Sequence, residues 1–179
     1  MKVIYAGNIG AGQGLERIIP KLAKKTEDFL EFKIIGDGGN KELLIEVIQN
    51  HECKNVQVFN PVPRAELVSI YSEADILFLH LNNFPAFTKV IPSKIFEYAA
   101  TNKPILAGVA GFTAEFVQSN IKNSEVFEPC NEVAAKSALD RLRFEITDRS
   151  HFTKKYNRTK IMHAMAKDFV STVSNQLRS

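Results

Sequence analysis

The fold is decided near the start of the chain, where residues 2–23 read KVIYAGNIGAGQGLERIIPKLA. Residues 2–7 form a mostly apolar run of strand length, and residues 8–14 form a glycine-rich turn. The apolar residues that follow have the spacing of one helix face: Leu15, Ile18, Ile19, Leu22 and Ala23. Pro20 lies inside this helix and predicts a bend or a shortened first half. A strand, a turn and a helix in this order predict the first unit of a parallel α/β sheet.

The same alternation continues along the chain. Further strands are predicted at residues 32–35, 56–59, 76–81, 104–109 and 125–127. Helices are predicted at residues 43–48, 67–74, 93–101, 111–117, 131–145 and 158–177. Residues 76–81 are the most apolar of these strands and are predicted to lie at the centre. We therefore expect an α/β fold, a doubly wound, Rossmann-like parallel sheet of about six strands with helices on both faces, formed by one domain over residues 1–179.

Composition narrows the classes of function. Hydrophobic residues make up 45% and charged residues 24% of the chain, the balance of an ordinary globular domain. A net charge of +3 is too small to favour nucleic acid as a partner. Cys53 and Cys130 stand far apart without metal-ligand spacing, and the sequence shows neither a signal peptide nor an apolar run of membrane-spanning length. We expect a cytoplasmic protein with free thiols, for which peripheral attachment at the inner face of a membrane stays open.

A ligand is expected where the parallel strands end. Right-handed crossovers bring the carboxyl ends of all strands to one edge, and ligands of such sheets bind there. The loops at this edge are residues 8–14, 36–40, 60–63, 80–92 and 109–112. The glycine-rich loop 8–14 fits neither the dinucleotide pattern nor a P-loop. Its glycines and the helix that follows suit a phosphate, and a purely structural turn is an equal alternative.

A second cluster lies in residues 91–100, IPSKIFEYAA. Ser93 is predicted to cap a helix whose first N–H groups face the binding edge, and Lys94 adds a cation beside them. Glu97 can accept hydrogen bonds from sugar or ribose hydroxyls, or it can bond the backbone of the first helical turn. His80 ends the central strand, where either a ligand or acid–base role or a structural role is open. The sequence shows no paired-carboxylate, Ser–His–Asp or metal-ligand constellation.

These residues resemble the C-terminal domain of GT-B glycosyltransferases of the large retaining family 4. The resemblance covers nearly the whole chain and lies in residues 5–10, 13–15, 34–38, 55–59, 63–67, 72–76, 91–100 and 103–106. It is greatest to enzymes of bacterial O-antigen and exopolysaccharide synthesis, including fucosamine transferases. The resemblance implies that the following residues bind the donor nucleotide: Asn8, Gln13, Gly14, Asp37, Pro61, His80, Lys89, Ser93, Lys94 and Glu97.

In that family the C-terminal domain holds a nucleotide-diphosphate sugar, and an N-terminal domain supplies the site for an acceptor glycan or lipid-linked glycan. The resemblance therefore implies a retaining transfer without a metal or other cofactor, and an N-terminal domain that is absent from this chain. We expect the chain alone to be inactive. The alternative is a stand-alone, non-catalytic module that binds a nucleotide or regulates a partner.

The sequence departs from the family at the charged positions. Asn8 and Gln13 stand where the family commonly has Arg and Lys. Lys89 stands at the first of the family's two paired glutamates, and Glu97 at the second. Lys89 and Lys94 could supply part of the missing positive charge.

The predicted final helix carries two apolar rows. One is Ile161, Met165, Phe169, Val173 and Leu177, and the other is Met162, Ala166 and Val170. Such a stripe is wider than a terminal helix on a small domain needs. We expect part of it to face solvent in the isolated domain, as the surface that packs on the absent domain. The alternative is that the helix folds wholly onto this domain.

Overall fold

A computed structural model describes residues 1–176 of the chain, and the side chains of residues 1–170. It contains a six-stranded sheet in the order β3-β2-β1-β4-β5-β6, with every neighbouring pair parallel. The strands are β1 (Lys2–Asn8), β2 (Glu31–Asp37), β3 (Val56–Phe59), β4 (Ile76–His80), β5 (Ile105–Gly108) and β6 (Ser124–Phe127). The predicted Rossmann-like fold is confirmed, and the strand predicted as central lies beside β1 in the middle of the sheet.

Helices cover both faces of the sheet. They are α1 (Leu15–Lys25), α2 (Lys41–Asn50), α3 (Arg64–Glu73), α4 (Lys94–Ala99), α5 (Gly111–Asn120), α6 (Glu132–Arg141), α7 (Ser150–Lys155) and α8 (Arg158–Gln176). Successive residues of a strand point to opposite faces, so Val3 belongs to the apolar core under α1, α2 and α6, whereas Ile4 belongs to the core under α3, α4, α5 and α7. The strand ends and their loops are thereby held between two buried layers.

The structure differs from the predicted elements in three places. The loop after β4 contains a 3₁₀ helix, Pro85–Lys89, in which the Thr88 hydroxyl donates to the Pro85 carbonyl (2.7 Å). The helix predicted to reach residue 145 ends at Arg141, because Leu142 turns to an extended conformation. Helix α7 was not predicted, since six residues are too few to show a periodic pattern. In contrast, α1 runs unbroken through Pro20, so the predicted shortening is wrong.

The described side chains of α8, residues 158–170, belong to neither apolar core. Phe169 is 71% exposed and Met165 is 61% exposed, and Ile161, Met162 and Val170 are exposed as well. The expectation of an exposed apolar stripe is confirmed for these side chains. The Val173 side chain and Leu177, which belong to the same predicted row, lie outside the described residues. In residues 1–176 no helix is long and apolar enough to cross a membrane.

Candidate functional site

The residues predicted to bind a ligand gather at the carboxyl edge of the sheet and in the first turn of α4. A groove of about 530 Å³ opens between α3 and α4, with Tyr71 and Glu97 among its lining residues. A larger open cavity of about 1070 Å³ lies at the opposite edge of the sheet, around Lys2 and Cys53. That cavity contains none of the predicted site residues, whereas Glu97 lines the groove and is paired with Lys94, whose side chain reaches the start of the glycine loop at Gly7. We therefore take the groove and the glycine loop together as the candidate site.

The glycine loop is held in shape by its own amide side chains. Asn8 Nδ2 donates to Gln13 Oε1 (2.7 Å), which also accepts a weaker bond from the Gly10 N–H (3.3 Å). Gly14 has φ +56°, and a Cβ there would come within 2.8 Å of Asn82 Cγ, so this position requires glycine. In the described part of the chain, the N–H groups of Ala11 and Gly12 have no acceptor. The loop therefore offers two free backbone donors.

His80 ties this loop to the opposite half of the sheet. Its Nδ1–H donates to the Gln13 carbonyl (2.6 Å), and its Nε2 accepts from the Cys130 N–H (2.9 Å). These partners define a neutral ring protonated on Nδ1. The ring is 1% exposed, and burial lowers the pKa of His80 to about 4, although the bond to Gln13 opposes the shift. Both nitrogens are occupied, so the geometry supports a structural role for His80 instead of the predicted ligand or acid–base role.

Lys94 and Glu97 form the charged part of the site. Lys94 Nζ lies 3.0 Å from Glu97 Oε2 and 3.4 Å from the Tyr71 hydroxyl, and it stands 5.9 Å from the centre of the Tyr98 ring. Its Cε lies 3.6 Å from where a Cβ on Gly7 would be, so the side chain crosses the end of β1. Glu97 thus pairs with a cation and not with the backbone of the first turn, and both side chains stay partly open to solvent.

The tyrosines beneath this pair are anchored to the sheet. The Tyr98 hydroxyl accepts from the Ala6 N–H (3.1 Å), and Tyr71 meets the Tyr98 ring edge-on with centroids 5.4 Å apart. Burial raises the pKa of Tyr71, an effect that the nearby Lys94 ammonium opposes. Both phenols are therefore neutral hydrogen-bonding groups at physiological pH.

Ser93 does not cap α4 as predicted. It has helical dihedral angles (φ −57°, ψ −28°), and its side chain makes no cap hydrogen bond. The reason is that the helical turn begins earlier, with the Ile95 N–H donating to the Pro92 carbonyl (3.1 Å). The Ser93 side chain is exposed, as is Lys89 at the end of the 3₁₀ helix.

Asp37 and Pro61 lie in the turns after β2 and β3. The Asp37 carbonyl accepts from the Ile9 N–H (2.7 Å), and its carboxylate accepts from the Gly38 N–H (2.9 Å). Pro61 is exposed next to Asn60, whose side chain accepts from Lys41 Nζ (2.7 Å). The Lys41–Asn60 bond joins the segments after β2 and β3 into one rim at the carboxyl edge of the sheet.

Sequence reasoning missed three residues of this site. Tyr71 matched the apolar face of a predicted helix, although a buried phenol usually finds a hydrogen-bond partner and could have been noted for that. Asn82 and Arg17 gave no signal because their contact joins positions 65 residues apart, with Arg17 Nη1 donating to Asn82 Oδ1 at 2.7 Å. Among residues 1–176, no group of three or more His, Cys, Asp or Glu side chains is placed to hold a metal.

Comparison with known proteins gives one family and one fold. The model of the family "Glycosyl transferases group 1" matches residues 1–167. The colanic acid biosynthesis glycosyl transferase WcaI of Escherichia coli (strain K12) is 32% identical over 113 residues, which are 63% of this chain and 26% of WcaI. The glycosyltransferase WbjE of Pseudomonas aeruginosa is 29% identical over 107 residues, 58% of this chain and 26% of WbjE. The chain thus spans about a quarter of the length of these relatives.

Solved structures agree on the fold. Anabaena Alr3699/HepE, crystallised with UDP-glucose, superposes with a TM-score of 0.75 at 18% identity, covering 95% of this chain and 48% of that one. The catalytic domain of the cholesterol-α-glucosyltransferase from Helicobacter pylori superposes with a TM-score of 0.62 at 14% identity, covering 96% and 98%. The six-stranded sheet is therefore that of a GT-B Rossmann-like domain.

Proposed function

Because the chain belongs to the glycosyl transferases group 1 family, we propose that it binds the nucleotide-diphosphate sugar donor of a retaining glycosyltransferase. The observation that carries the proposal is the Lys94–Glu97 pair: Glu97 lines the α3–α4 groove, and Lys94 crosses the end of β1, where the glycine loop with its free N–H groups begins. An ammonium and backbone donors suit a diphosphate, and a carboxylate beside them suits the hydroxyls of a ribose.

We assign a different part of the donor to each group of residues along the carboxyl edge of the sheet. The N–H groups of Ala11 and Gly12, together with the Lys94 ammonium, bind the diphosphate and stabilise it as the leaving group when the glycosidic bond breaks. Glu97 holds the ribose, and the rim of Asp37 and Pro61 lies against the base. We propose no metal, because the lysines and backbone donors supply the positive potential that a diphosphate needs.

The relatives support the substrate class. WcaI is named for colanic acid biosynthesis, and HepE was crystallised with UDP-glucose. We propose glycosyl transfer in the synthesis of a bacterial surface polysaccharide of the O-antigen type. The whole enzyme then includes an N-terminal GT-B domain that presents the acceptor glycan or lipid-linked glycan. The exposed stripe of α8, with Phe169 71% exposed, supports a surface that a second domain covers.

A calorimetric titration tests donor binding. The 179-residue chain would be titrated with UDP, GDP, ADP, CDP and dTDP, and with the nucleoside of each. We expect one diphosphate to bind at a single site, at least about tenfold tighter than its own nucleoside, because charge-assisted bonds to the phosphates add to the binding free energy. Equal affinity for a diphosphate and its nucleoside, or no binding across the panel, would contradict the proposal.

A further inference from the structure

The end of β4 fastens three successive carbonyl groups of the glycine loop. Asn82 Nδ2 donates to the Ala11 carbonyl (2.7 Å), and the Asn82 N–H donates to the Gly12 carbonyl (2.8 Å). His80 Nδ1 donates to the Gln13 carbonyl (2.6 Å). The donors of all three bonds are His80, at the end of β4, and Asn82, two residues further on. The direction of these peptide groups is therefore set from outside the loop.

The direction of the carbonyls decides where the N–H groups point. A trans peptide is planar and holds its C=O and its N–H on opposite sides. When Asn82 holds the Ala11 carbonyl towards β4, the N–H of Gly12 points away from β4. Within loop 8–14, this N–H is one of the two for which the structure shows no acceptor, the other being that of Ala11.

The Asn82 side chain is fixed by its other contacts. It is 4% exposed, and its Oδ1 accepts from Arg17 Nη1 (2.7 Å) and from the Asn83 N–H (2.8 Å). The Cys130 thiol donates to the same oxygen (3.4 Å), so three donors on Oδ1 and one carbonyl on Nδ2 leave one orientation of the amide. Gly14 completes the arrangement, because any side chain there would collide with Asn82.

We propose that Asn82 is a positioning residue for diphosphate recognition, holding the 11–12 peptide and Arg17 in place for the phosphates without contacting the base. This inference rests on the proposed function. It extends that function to a residue in the loop after β4 that no sequence motif singled out. The effect should appear in the binding of phosphates and not in the binding of a nucleoside.

The first test replaces the amide nitrogen of the Asn82 side chain with an oxygen. Asn82→Asp keeps the size of the side chain and the acceptor for Arg17, and it removes the donor to the Ala11 carbonyl. Asn83→Asp is the matched control, because Asn83 is exposed and the variant adds the same charge one residue along. Binding would be measured for the tightest diphosphate among UDP, GDP, ADP, CDP and dTDP, and for its nucleoside.

We expect Asn82→Asp to weaken diphosphate binding about tenfold more than Asn83→Asp does, the effect of one misplaced charge-assisted hydrogen bond. Nucleoside binding should stay within about twofold of wild type in both variants, since the base and ribose contacts are unchanged. An equal loss in the two variants, or a parallel loss for nucleoside and diphosphate, would overturn the proposal.

A second pair of variants separates positioning from folding. Asn82→Ala is compared with Asn55→Ala, because Asn55 Nδ2 also donates to two backbone carbonyls, those of Ala23 and Leu30, at the opposite edge of the sheet. Amide hydrogen exchange would be followed at Gln13 and Gly14. Only Asn82→Ala should accelerate exchange there, and unchanged exchange would refute the positioning role even if no nucleotide binds. Failure of the wild type to bind any diphosphate would instead refute the proposed function.

Discussion

The buried His80 ring predicts a loss of stability in mild acid. In the unfolded chain the ring takes up a proton around its ordinary pKa of 6.5, whereas burial in the folded chain lowers the pKa to about 4. Between these values the unfolded state binds more protons, so the free energy of unfolding rises with pH. The contribution is complete above pH 6.5 and is lost as the pH falls through this window towards 4.

The size of the effect follows from the two pKa values. A shift from 6.5 to about 4 corresponds to roughly 3 kcal/mol when both titrations are complete. Between about pH 7 and about pH 5 the same linkage gives about 2 kcal/mol. The free energy of unfolding of a typical folded protein is about 5–15 kcal/mol, so a loss of this size is measurable. The main physical cause is burial, which disfavours the charged ring, and a proton on Nε2 would in addition face the Cys130 N–H, which donates to that nitrogen at 2.9 Å.

Urea unfolding at several pH values between about 7 and about 5 measures this loss. The variant His80→Asn keeps a donor near the Gln13 carbonyl and cannot titrate. His51→Asn is the control, because His51 lies exposed on the surface. We expect wild type and His51→Asn to lose about 2 kcal/mol more over this range than His80→Asn does. Equal slopes of stability against pH in wild type and His80→Asn would refute the reasoning, whatever the absolute stability of the variant.

Three further predictions concern the site and its context. Glu97→Gln should weaken nucleotide binding by about 1–2 kcal/mol and lower stability by less than about 1 kcal/mol in calorimetry and thermal unfolding, whereas Glu27→Gln, which breaks another i,i+3 pair at the far edge, should leave binding unchanged. A loss of stability with full affinity would make Glu97 a structural residue only. Gly14→Ala should lower the free energy of unfolding in urea by about 1–3 kcal/mol, because Gly14 has a positive φ and a Cβ there would collide with Asn82. Gly39→Ala should leave the free energy of unfolding nearly unchanged, because there is open space around Gly39. The chain alone should transfer no sugar from any nucleotide sugar in a product assay by mass spectrometry, and turnover would show that a second domain is unnecessary.

The fold could be predicted because its signals are local. The strand β4 is a run of buried residues, and the glycine and proline turns stand where the chain reverses. The elements that escaped prediction are short. The 3₁₀ helix Pro85–Lys89 and α7 contain five and six residues, so neither completes two turns of an amphipathic pattern.

The sequence could indicate which residues lie at the site, but not which hydrogen bonds each of them makes. His80 was rightly placed at the carboxyl end of the central strand, yet its hydrogen-bond partners Gln13 and Cys130 lie 67 and 50 residues away in sequence. Nothing in the sequence indicates that both ring nitrogens are occupied. The same holds for Asn82, whose importance lies in the backbone carbonyls that it holds and not in any motif around it.

The pairing of Lys94 with Glu97 has a consequence for the proposed donor site. The two residues stand three positions apart on one helix face, where such side chains are neighbours, and the Tyr71 hydroxyl is a further partner of the ammonium. In the free protein the lysine charge is thus already compensated. A diphosphate must compete with Glu97 for this charge, and the carboxylate that it displaces is then available to the ribose. On this reasoning, one nucleotide rearranges both residues, so Lys94→Met and Glu97→Gln should be non-additive in binding.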